Sequence, residues 1–373
     1  MAGPCSSGAT AMKFSASDAR VGIVSWDYGE YARGGLGRAM AGMMEALREQ
    51  GVSVEVFARS YWLLVTRYSF IVFVWCFLRR WIDTHRVRTV ILPTGPGGLF
   101  LWRKPKRCRL IIVSYHTYWQ QARYVPWQWW KRVLVPLERR TFALADQVFC
   151  YSPDTEHILL QQYGVPRANL KLLPQLLDVA AWSSSLAPKE GGLCVFVARL
   201  DCRKGIDVLL QAWPSVVGAW PTAHLVIVGD GRGRKRVRDV VAHHSSVQWV
   251  PSLPREELVH LLQRAEIAVC PSYLEGFGLA CAEAMVAGTA VIASDCDGLR
   301  SLIRHGETGL LVPPSDPVAL ADGMTELLRD AVLRRRLVER AQGETVRIFD
   351  WQEAVCRLLT VLEEPPSSEE GGL

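Results

Sequence analysis

The feature that most constrains this chain is a local pattern that begins twice: a short apolar strand, a glycine-containing turn and an amphipathic helix. The first copy starts with VGIVSW at residues 21–26 and leads to a helix predicted near 37–50. The second starts with LCVFVA at 193–198, and its helix is expected to begin near Ile206. Apolar strands that alternate with helices form parallel sheets covered by helices on both faces. The repetition therefore predicts an α/β fold with two doubly wound domains facing a cleft.

Length and further strand patterns support two domains. At 373 residues the chain exceeds the roughly 150 residues typical of one domain. After the second start, the predicted strands are HLVIVG, VQWV, IAVC, AVIA and GLLV. We expect a mobile tail at 1–19, a first Rossmann-like domain at 20–182, a linker at 183–192, a second Rossmann-like domain at 193–347, a C-terminal helix at 348–364 and a mobile tail at 365–373.

Charge differs between the two halves. Residues 1–178 contain 23 Lys and Arg against 12 Asp and Glu, a net charge of +11. Residues 179–373 contain 20 against 25, a net charge of −5, and the two values give the overall +6. A basic first half beside an acidic second half indicates an anionic partner for the first half.

The cysteines indicate the cellular compartment. The ten cysteines form no CxxC pair and no Cys/His cluster with metal-ligand spacing. Scattered thiols favour reduced side chains in a cytoplasmic protein over a disulfide framework or a zinc site. The N-terminal sequence also lacks the basic and apolar regions of a secretory signal. We therefore expect a cytoplasmic protein with no bound metal.

The most apolar segment is YWLLVTRYSFIVFVWCFLRR at residues 61–80. Arg67 interrupts it, and the uninterrupted part is too short to span a bilayer. Two interpretations stay open, a buried helix of an α/β domain and an interfacial helix that contacts a membrane.

Three loops of the second domain are expected to meet at the carboxyl ends of its strands. They contain Arg199 and Lys204, the GDG sequence at 229–231, and EGFGLACAE at 275–283. In the third loop, small residues lead into a helix whose first amides would face the cleft and bind an anion. The predicted diphosphate site consists of Arg199, Lys204 and the backbone of Phe277, Gly278, Leu279 and Ala280.

Two glutamates flank this helix start. Glu275 lies in the loop and Glu283 on the helix, up to about 12 Å apart if the intervening residues rise by 1.5 Å each. This distance is comparable to the separation between a ribose and a sugar on the far side of a diphosphate. We therefore assign Glu275 to sugar hydroxyls near a reaction centre and Glu283 to ribose hydroxyls.

These segments resemble the retaining glycosyltransferases of the GT-B fold often called group 1. VARLDCRKGIDVLLQAW, EGFGLACAEAMVAGTAVIAS and IRHGETGLLVPPSDPVALADGM are similar to the phosphate-binding segment of that family, its paired-glutamate signature and the segment that follows. The resemblance covers nearly the whole chain after residue 20 and is strongest at 193–315. It implies hexosyl transfer from a nucleotide-sugar donor to an acceptor hydroxyl with retained configuration, without a metal or another cofactor.

The resemblance also assigns roles in the first domain, which would be the acceptor side. GGLGR is similar to a glycine-rich loop in which Gly35 allows the backbone to approach the donor phosphates. VSYHTYW matches the segment with an active-site histidine, so His116 joins Glu275 as a candidate catalytic residue. The closing FDWQEAV helix is expected to cross back to the first domain. Two departures, QLLD at 175–178 and Arg300–Ser301, concern the linker and the donor sugar, not the diphosphate site.

Other functions share parts of this pattern. A sugar-nucleotide epimerase or a sugar phosphorylase can have the same fold, and a non-catalytic sugar-nucleotide-binding subunit of a membrane assembly is a further alternative. The presence of Glu275, Lys204 and His116 favours an enzyme. A dinucleotide-dependent oxidoreductase is disfavoured, because GDGRGR gives only part of a GxGxxG pattern and follows an internal strand.

Basic residues and tryptophans alternate in two segments of the first half, RKPKR at 103–107 and YVPWQWWKRVLVPLERR at 124–140. Aromatic rings beside Lys and Arg are typical of a lipid headgroup interface. They predict peripheral contact with the anionic inner face of a membrane, a lipid-linked or glycan acceptor, and no nucleic acid. The alternative is a solvated basic face with core tryptophans. The candidate surface contains Arg103, Lys104, Lys106, Arg107, Arg109, Trp127, Trp129, Trp130, Lys131 and Arg132.

Overall fold

The computed structural model contains two parallel six-stranded sheets, each covered by helices. This confirms the predicted fold of two doubly wound, Rossmann-like domains. The structure describes residues 20–25, 35–58, 67–94, 101, 103–173, 177, 179–183, 187–349 and 351–363. The predicted tails at 1–19 and 365–373 lie outside the described residues.

The first sheet has the strand order β2-β1-β3-β4-β5-β6, and every pairing in it is parallel. Its strands β1 to β6 are Arg20–Ser25, Ser53–Ala58, Thr89–Pro93, Arg109–Ser114, Gln147–Cys150 and Leu170–Leu172. Its helices α1 to α6 are Gly35–Glu49, Arg67–His85, Tyr118–Tyr124, Val135–Ala143, Pro153–Tyr163 and Val179–Ser183. A 3-10 helix, Pro126–Leu134, connects α3 to α4.

The second sheet has the order β12-β11-β10-β7-β8-β9 and is also parallel throughout. Its strands β7 to β12 are Leu193–Val197, His224–Val228, Val247–Val250, Ile267–Cys270, Ala290–Ser294 and Leu310–Val312. The remaining helices α7 to α14 are Ile206–Ala219, Arg234–His243, Arg255–Arg264, Leu279–Val286, Asp297–Leu302, Pro317–Arg329, Ala331–Ile348 and Trp351–Glu363. The strand order reverses between β7 and β10, which is where open α/β sheets bind ligands.

Local sequence signals explain these elements. The five strands predicted after the second start are present as β8 to β12. The apolar runs of β8, β10 and β11 are buried on both faces, as expected for strands covered by helices on each side, whereas only Val247 is buried in the edge strand β9. Asp316 caps α12 by accepting hydrogen bonds from the amides of Val318 and Ala319 at 3.0 and 2.9 Å.

Helix α2 contains most of the apolar segment at 61–80, and residues 61–66 lie outside the described residues. Val74, Leu78 and Ile82 are buried on one face of α2, whereas Trp75 and Phe77 are 51% and 48% exposed. The helix therefore lies on the surface of the first domain with one apolar face packed inward. Among the helices that the structure describes, none is long and apolar enough to cross a membrane.

The last helix, α14, packs against the first domain. The guanidinium of Arg109 in β4 donates to the carbonyl of Val361, and Arg357 Nη1 donates to the carbonyl of Leu172 at 3.3 Å. Helix α6, in contrast, contacts the second domain, where Gln263 Nε2 donates to the carbonyl of Trp182 at 3.3 Å. The exact domain boundaries stay a prediction.

Candidate active site

The site is assembled from the loops after β7 and β10, on the two sides of the point where the strand order reverses. The loop after β7 approaches the loop after β10 at Gly205, which has a φ of 69°. A Cβ atom there would lie 1.8 Å from the carbonyl oxygen of Pro271. Only glycine permits both this backbone conformation and this approach. The contact places Lys204 beside the loop that contains Glu275.

Lys204 and Glu275 form an ion pair between the Lys204 ammonium and Glu275 Oε1, with side chains 18% and 15% exposed. Ser272 Oγ donates to the same oxygen at 3.0 Å. Burial by itself would raise the pKa of Glu275, but the charges of Lys204 and Arg203 and the two hydrogen bonds hold it below its usual value. Glu275 is therefore a carboxylate at neutral pH that accepts hydrogen bonds.

Two arginines add positive charge beside this pair. Arg199 Nη2 lies 3.1 Å from Asp201 Oδ2, and Arg203 Nη1 donates to the carbonyl of Leu274 at 3.0 Å. Burial would raise the pKa of Asp201, but the charges of Arg203, Arg199 and Lys204 lower it. The sequence interpretation included Arg199 and missed Arg203, although Arg203 directly precedes Lys204.

Helix α10 begins beside Glu275. Gly278 precedes it with a φ of 98° and provides no side-chain cap, and the first hydrogen bond across the helix start runs from the amide of Ala282 to the carbonyl of Gly278. Among the predicted anion-binding residues, Phe277 is buried and Leu279 and Ala280 are partly exposed. Uncapped first-turn amides and the positive end of the helix dipole suit an anion.

Glu283 lies on α10 and is 3% exposed. Gly35, in turn, is the first residue of α1, and the loop before it, residues 26–34, lies outside the described residues. The expected ribose contact of Glu283 and the phosphate contact of Gly35 stay predictions.

His116 lies in the first domain, next to a residue that contacts the Glu275 loop. It follows β4 and is partly buried. Its neighbour Tyr115 contacts Gly276, the neighbour of Glu275: a Cβ atom on Gly276 would lie 2.3 Å from the carbonyl oxygen of Tyr115. The backbones beside the two candidate catalytic residues therefore touch across the cleft.

Gln120 bridges the domains. Its Oε1 accepts from the amide of Thr117 at 2.7 Å, and its Nε2 donates to Asp297 Oδ2 at 2.9 Å. The amide of Gly298, the residue after Asp297, donates a hydrogen bond to the carbonyl of Glu275 at 3.2 Å. The sequence interpretation missed Gln120, although Thr117 and Gln120 have the spacing of a capping box, which the structure shows at α3.

The buried carboxyl of Glu138 forms hydrogen bonds at the start of α3. Glu138 accepts from the amide of Tyr118 at 2.8 Å and from the hydroxyl of Tyr163. The Tyr163 hydroxyl also accepts from the amide of Trp119 at 3.2 Å. Burial raises the pKa of Glu138 to about 8, so this side chain is mostly protonated at neutral pH. No local sequence signal marks Glu138, because its partners lie 20 and 25 residues away.

The predicted basic cluster at 103–109 is partly wrong. Arg109 is 4% exposed inside β4 and bonds to α14, so it does not belong to a surface. Lys104 pairs with Asp146, with Nζ 2.5 Å from Oδ1. Arg103, Lys106 and Arg107 are exposed, so these three members of the predicted basic cluster lie on the surface.

The aromatic segment lies on the 3-10 helix, which has no buried residue. The alternative of core tryptophans is therefore wrong, since Trp127, Trp129 and Trp130 are 43%, 67% and 40% exposed. However, the Trp127 ring packs edge-on against Tyr273 of the second domain, with centroids 5.1 Å apart. Lys131 donates to Gln121 and Gln128 and lies 5.3 Å above the Tyr118 ring. Trp129 and Arg132 are exposed.

Comparisons with known proteins identify related sequences. The model for glycosyl transferases group 1 matches residues 181–344, and the model for glycosyltransferase family 4 matches residues 33–181. A phosphatidyl-myo-inositol mannosyltransferase of Mycobacterium leprae is 35% identical over 210 residues, which cover 55% of this chain and 53% of the relative. This chain thus spans about half the length of the curated relatives it matches.

Solved structures share the fold. Sucrose-phosphate synthase of Thermosynechococcus elongatus has a TM-score of 0.76 at 21% identity and covers 92% of this chain and 98% of its own. The Anabaena protein HepE, solved with UDP and glucose, has a TM-score of 0.70 at 16% identity, covering 92% and 99%. Together the two glycosyltransferase models match residues 33–344, so the sequence similarity to glycosyltransferases extends over both domains, and the solved structures share the GT-B fold of this chain.

Proposed function

We propose that the protein transfers a hexosyl group from a nucleoside-diphosphate sugar to an acceptor hydroxyl, with retention of the anomeric configuration. The observation that carries this proposal is the Lys204–Glu275 ion pair at the strand-order reversal of the second sheet, beside an uncapped helix start and next to the segment that contains His116. These cationic and hydroxyl-binding groups belong to the second domain and adjoin the first domain, which can hold an acceptor.

The diphosphate of the donor would be bound by Arg199, Lys204 and the first amides of α10. An ammonium has three N–H donors, and the bond to Glu275 uses one of them. Fixed positive groups in a partly dehydrated cleft stabilise the negative charge that develops on a departing diphosphate. The structure of HepE with UDP and glucose supports this donor class. These groups supply the charge without a metal, so activity is expected to persist in EDTA.

In the reaction, the bond between the sugar C1 and the diphosphate oxygen breaks, and its electron pair leaves with the nucleoside diphosphate. A new bond forms between C1 and the acceptor oxygen, and the acceptor proton passes to the leaving phosphate on the same face. Glu275 is ionised, so it holds sugar hydroxyls as an acceptor and gives no proton. His116 would contact the transferred sugar from the other domain.

The test is a panel of nucleotide sugars, with thermal stabilisation for binding and NMR for the product anomer. A bound donor at 100 times its dissociation constant adds about 2.7 kcal/mol to the free energy of unfolding. Transfer with retained configuration is expected. An isomerised donor formed without acceptor would identify an epimerase, and a product that requires phosphate would identify a phosphorylase.

We further propose a lipid-linked acceptor at an anionic membrane surface, reached by peripheral binding. The M. leprae relative is named for a phospholipid acceptor, phosphatidyl-myo-inositol. Arg103, Lys106 and Arg107 are exposed on the first domain, as is Trp129. Each basic residue near an anionic surface contributes roughly 1 kcal/mol.

Sedimentation with phosphatidylserine-containing vesicles at low and high salt tests the membrane proposal. Changing Arg103, Lys106 and Arg107 together to Ser should abolish binding at low salt. The matched control changes three exposed arginines of α13 to Ser: Arg335, Arg336 and Arg340. Equal loss in both triple variants, or no binding by the unchanged protein, would favour a soluble acceptor.

A further inference from the structure

A cavity of about 190 Å³ lies where α3 and α5 of the first domain meet α11 of the second. Its walls include Trp119 and Tyr124 from α3, Asp154 and His157 from α5, and Asp297 and Arg300 from α11. The volume is below the roughly 300–1,000 Å³ of pockets that enclose drug-sized ligands, so it suits a single ring.

The lining combines aromatic rings with hydrogen-bonding groups. Trp119 and Tyr124 pack edge to face, with centroids 6.2 Å apart and an interplanar angle of 82°, so they form a fixed corner. Asp154 and Asp297 supply carboxylate oxygens on other walls. Aromatic rings cover the C–H face of a sugar ring, while carboxylates accept hydrogen bonds from its hydroxyls.

The cavity has no surplus of positive charge to bind an anion: Asp154 and Asp297 line it together with a single arginine, Arg300. Arg300 is committed to Asp295, with Nε 2.6 Å from Oδ1 and Nη2 3.1 Å from the carbonyl oxygen. Arg300 also interacts electrostatically with Asp154 and Asp297, so it balances part of their negative charge. Burial raises the pKa of Asp297, although the hydrogen bond from Gln120 opposes this effect. Two carboxyls against one arginine disfavour a phosphorylated sugar or a uronic acid and can accept hydrogen bonds from the hydroxyls of a neutral sugar.

The cavity adjoins the candidate reaction centre. Asp297 receives the Gln120 hydrogen bond that joins the domains, and the amide of Gly298 bonds to the carbonyl of Glu275. Trp119 lies three residues after His116. A ring bound between α3 and α11 is thus held by both domains at the flank of the Glu275 loop.

We propose that this cavity binds one neutral sugar residue of the acceptor between Trp119 of the first domain and Asp154 and Asp297. The proposal rests on the proposed glycosyl transfer and defines its acceptor: hydroxyl-rich, uncharged at this residue, and inserted from the first-domain side. The cavity thereby selects among acceptors, whereas the loops around Lys204 bind the donor.

The experiment uses the full chain saturated with UDP and saturation-transfer-difference NMR. The probes are methyl α-D-glucopyranoside, methyl α-D-mannopyranoside and the methyl glycoside of glucuronic acid. At least one neutral glycoside should bind, and the glucuronide should not. Trp119→Ala and Asp154→Asn should each weaken that binding by about tenfold or more. The matched controls are Trp75→Ala and Asp322→Asn, which change an exposed tryptophan and an exposed aspartate elsewhere.

Stabilisation by UDP is measured in the same samples, because it reports folding and the donor site. If UDP stabilises every variant and the neutral glycosides bind wild type but not the two cavity variants, the proposal stands. If UDP stabilises wild type and no neutral glycoside binds, or binding survives both cavity variants, the proposal is overturned while donor binding stands. If no nucleotide or nucleotide sugar stabilises the protein, the proposed function itself fails.

Discussion

Each domain contains a largely buried carboxyl, and the pKa values of these two carboxyls are shifted in opposite directions. In the second domain, Lys204 and Arg203 surround Glu275 and lower its pKa, so charge is kept in the cleft. In the first domain, Glu138 is 2% exposed, its hydrogen-bond partners are a tyrosine hydroxyl and a backbone amide, and its pKa rises to about 8. Glu275 therefore contributes a negative charge to the candidate site. Glu138 instead accepts hydrogen bonds that water would otherwise accept at the start of α3.

The starts of the adjacent helices α3 and α10 also differ: the protein bonds the first amides of α3, whereas α10 has no side-chain cap. The first amides of α3 bond to Glu138, Tyr163 and the Thr117 hydroxyl, so the protein satisfies them internally. Helix α10 has no side-chain cap at Gly278. The second domain therefore offers donors to an anion, and the described part of α3 offers aromatic rings to a neutral ligand. This difference matches an anionic donor on one side and a hydroxyl acceptor on the other.

The largest expected effect is that of Glu275→Gln. The amide keeps the shape of the side chain but removes the negative charge that Lys204 balances and that we propose to hold sugar hydroxyls. Turnover should fall by about 1,000-fold, comparable to losing a transition-state hydrogen bond in a dehydrated site. UDP binding, measured by calorimetry, should change little. Near-normal turnover would remove Glu275 from the candidate catalytic residues.

Gly276→Ala tests the contact between the two regions. The added Cβ would lie 2.3 Å from the Tyr115 carbonyl, so the His116 and Glu275 segments must separate. A displacement of about 1 Å at a reacting centre can reduce the rate by about 100-fold. We expect that loss in kcat with intact UDP affinity. The matched control is Gly343→Ala, where a Cβ meets nothing within 4 Å. Equal activity in both variants would show that this contact is dispensable.

Lys204→Ala should weaken UDP binding by roughly 30-fold or more, because it removes a cation and leaves Glu275 partly buried without its partner. The Arg199 side chain is 46% exposed, so Arg199→Ala should weaken UDP binding less than Lys204→Ala does. The control is Lys235→Ala on the exposed side of α8. If the double variant Arg199→Ala/Lys204→Ala binds UDP as wild type does, the diphosphate site lies elsewhere.

The smallest effect concerns Glu138 and pH. A carboxyl whose pKa is raised in the folded state binds more protons there than in the unfolded chain, so its contribution to stability falls as the pH rises from about 4.5 through 8. Glu138→Gln keeps a neutral hydrogen-bonding side chain and should flatten this dependence. Melting temperatures of both proteins between pH 5.5 and 7.5 provide the measurement. Parallel curves would contradict the assignment.

Much of the fold was predictable because its signals are local. Apolar runs mark β8, β10, β11 and β12, the alternating VQWV marks the edge strand β9, and Asp316–Pro317 marks the start of α12. The meeting of Lys204 with Glu275 also follows from sequence, because parallel strands present their following loops at one sheet edge. These inferences need only the order of the elements.

The remaining features depend on contacts between distant residues. Arg109 has the same charge as its neighbours in the 103–109 segment, and only strand β4 and helix α14 explain its burial. The sequence does not distinguish Trp127 from the other tryptophans of its segment, because its contact with Tyr273 forms only between the two domains. Asp297 and Gln120, 177 residues apart, likewise required the assembled domains.

The return of α14 to the first domain has a mechanical consequence. The polypeptide connects the domains twice, once between β6 and β7 and once between α13 and α14. Because two connections define an axis, we expect the cleft to open by rotation about the line that joins them and sliding of one domain along the other to be resisted. Cutting the backbone at one connection leaves a single pivot. A nicked enzyme should therefore stay in one piece yet lose the alignment between Tyr115 and Gly276.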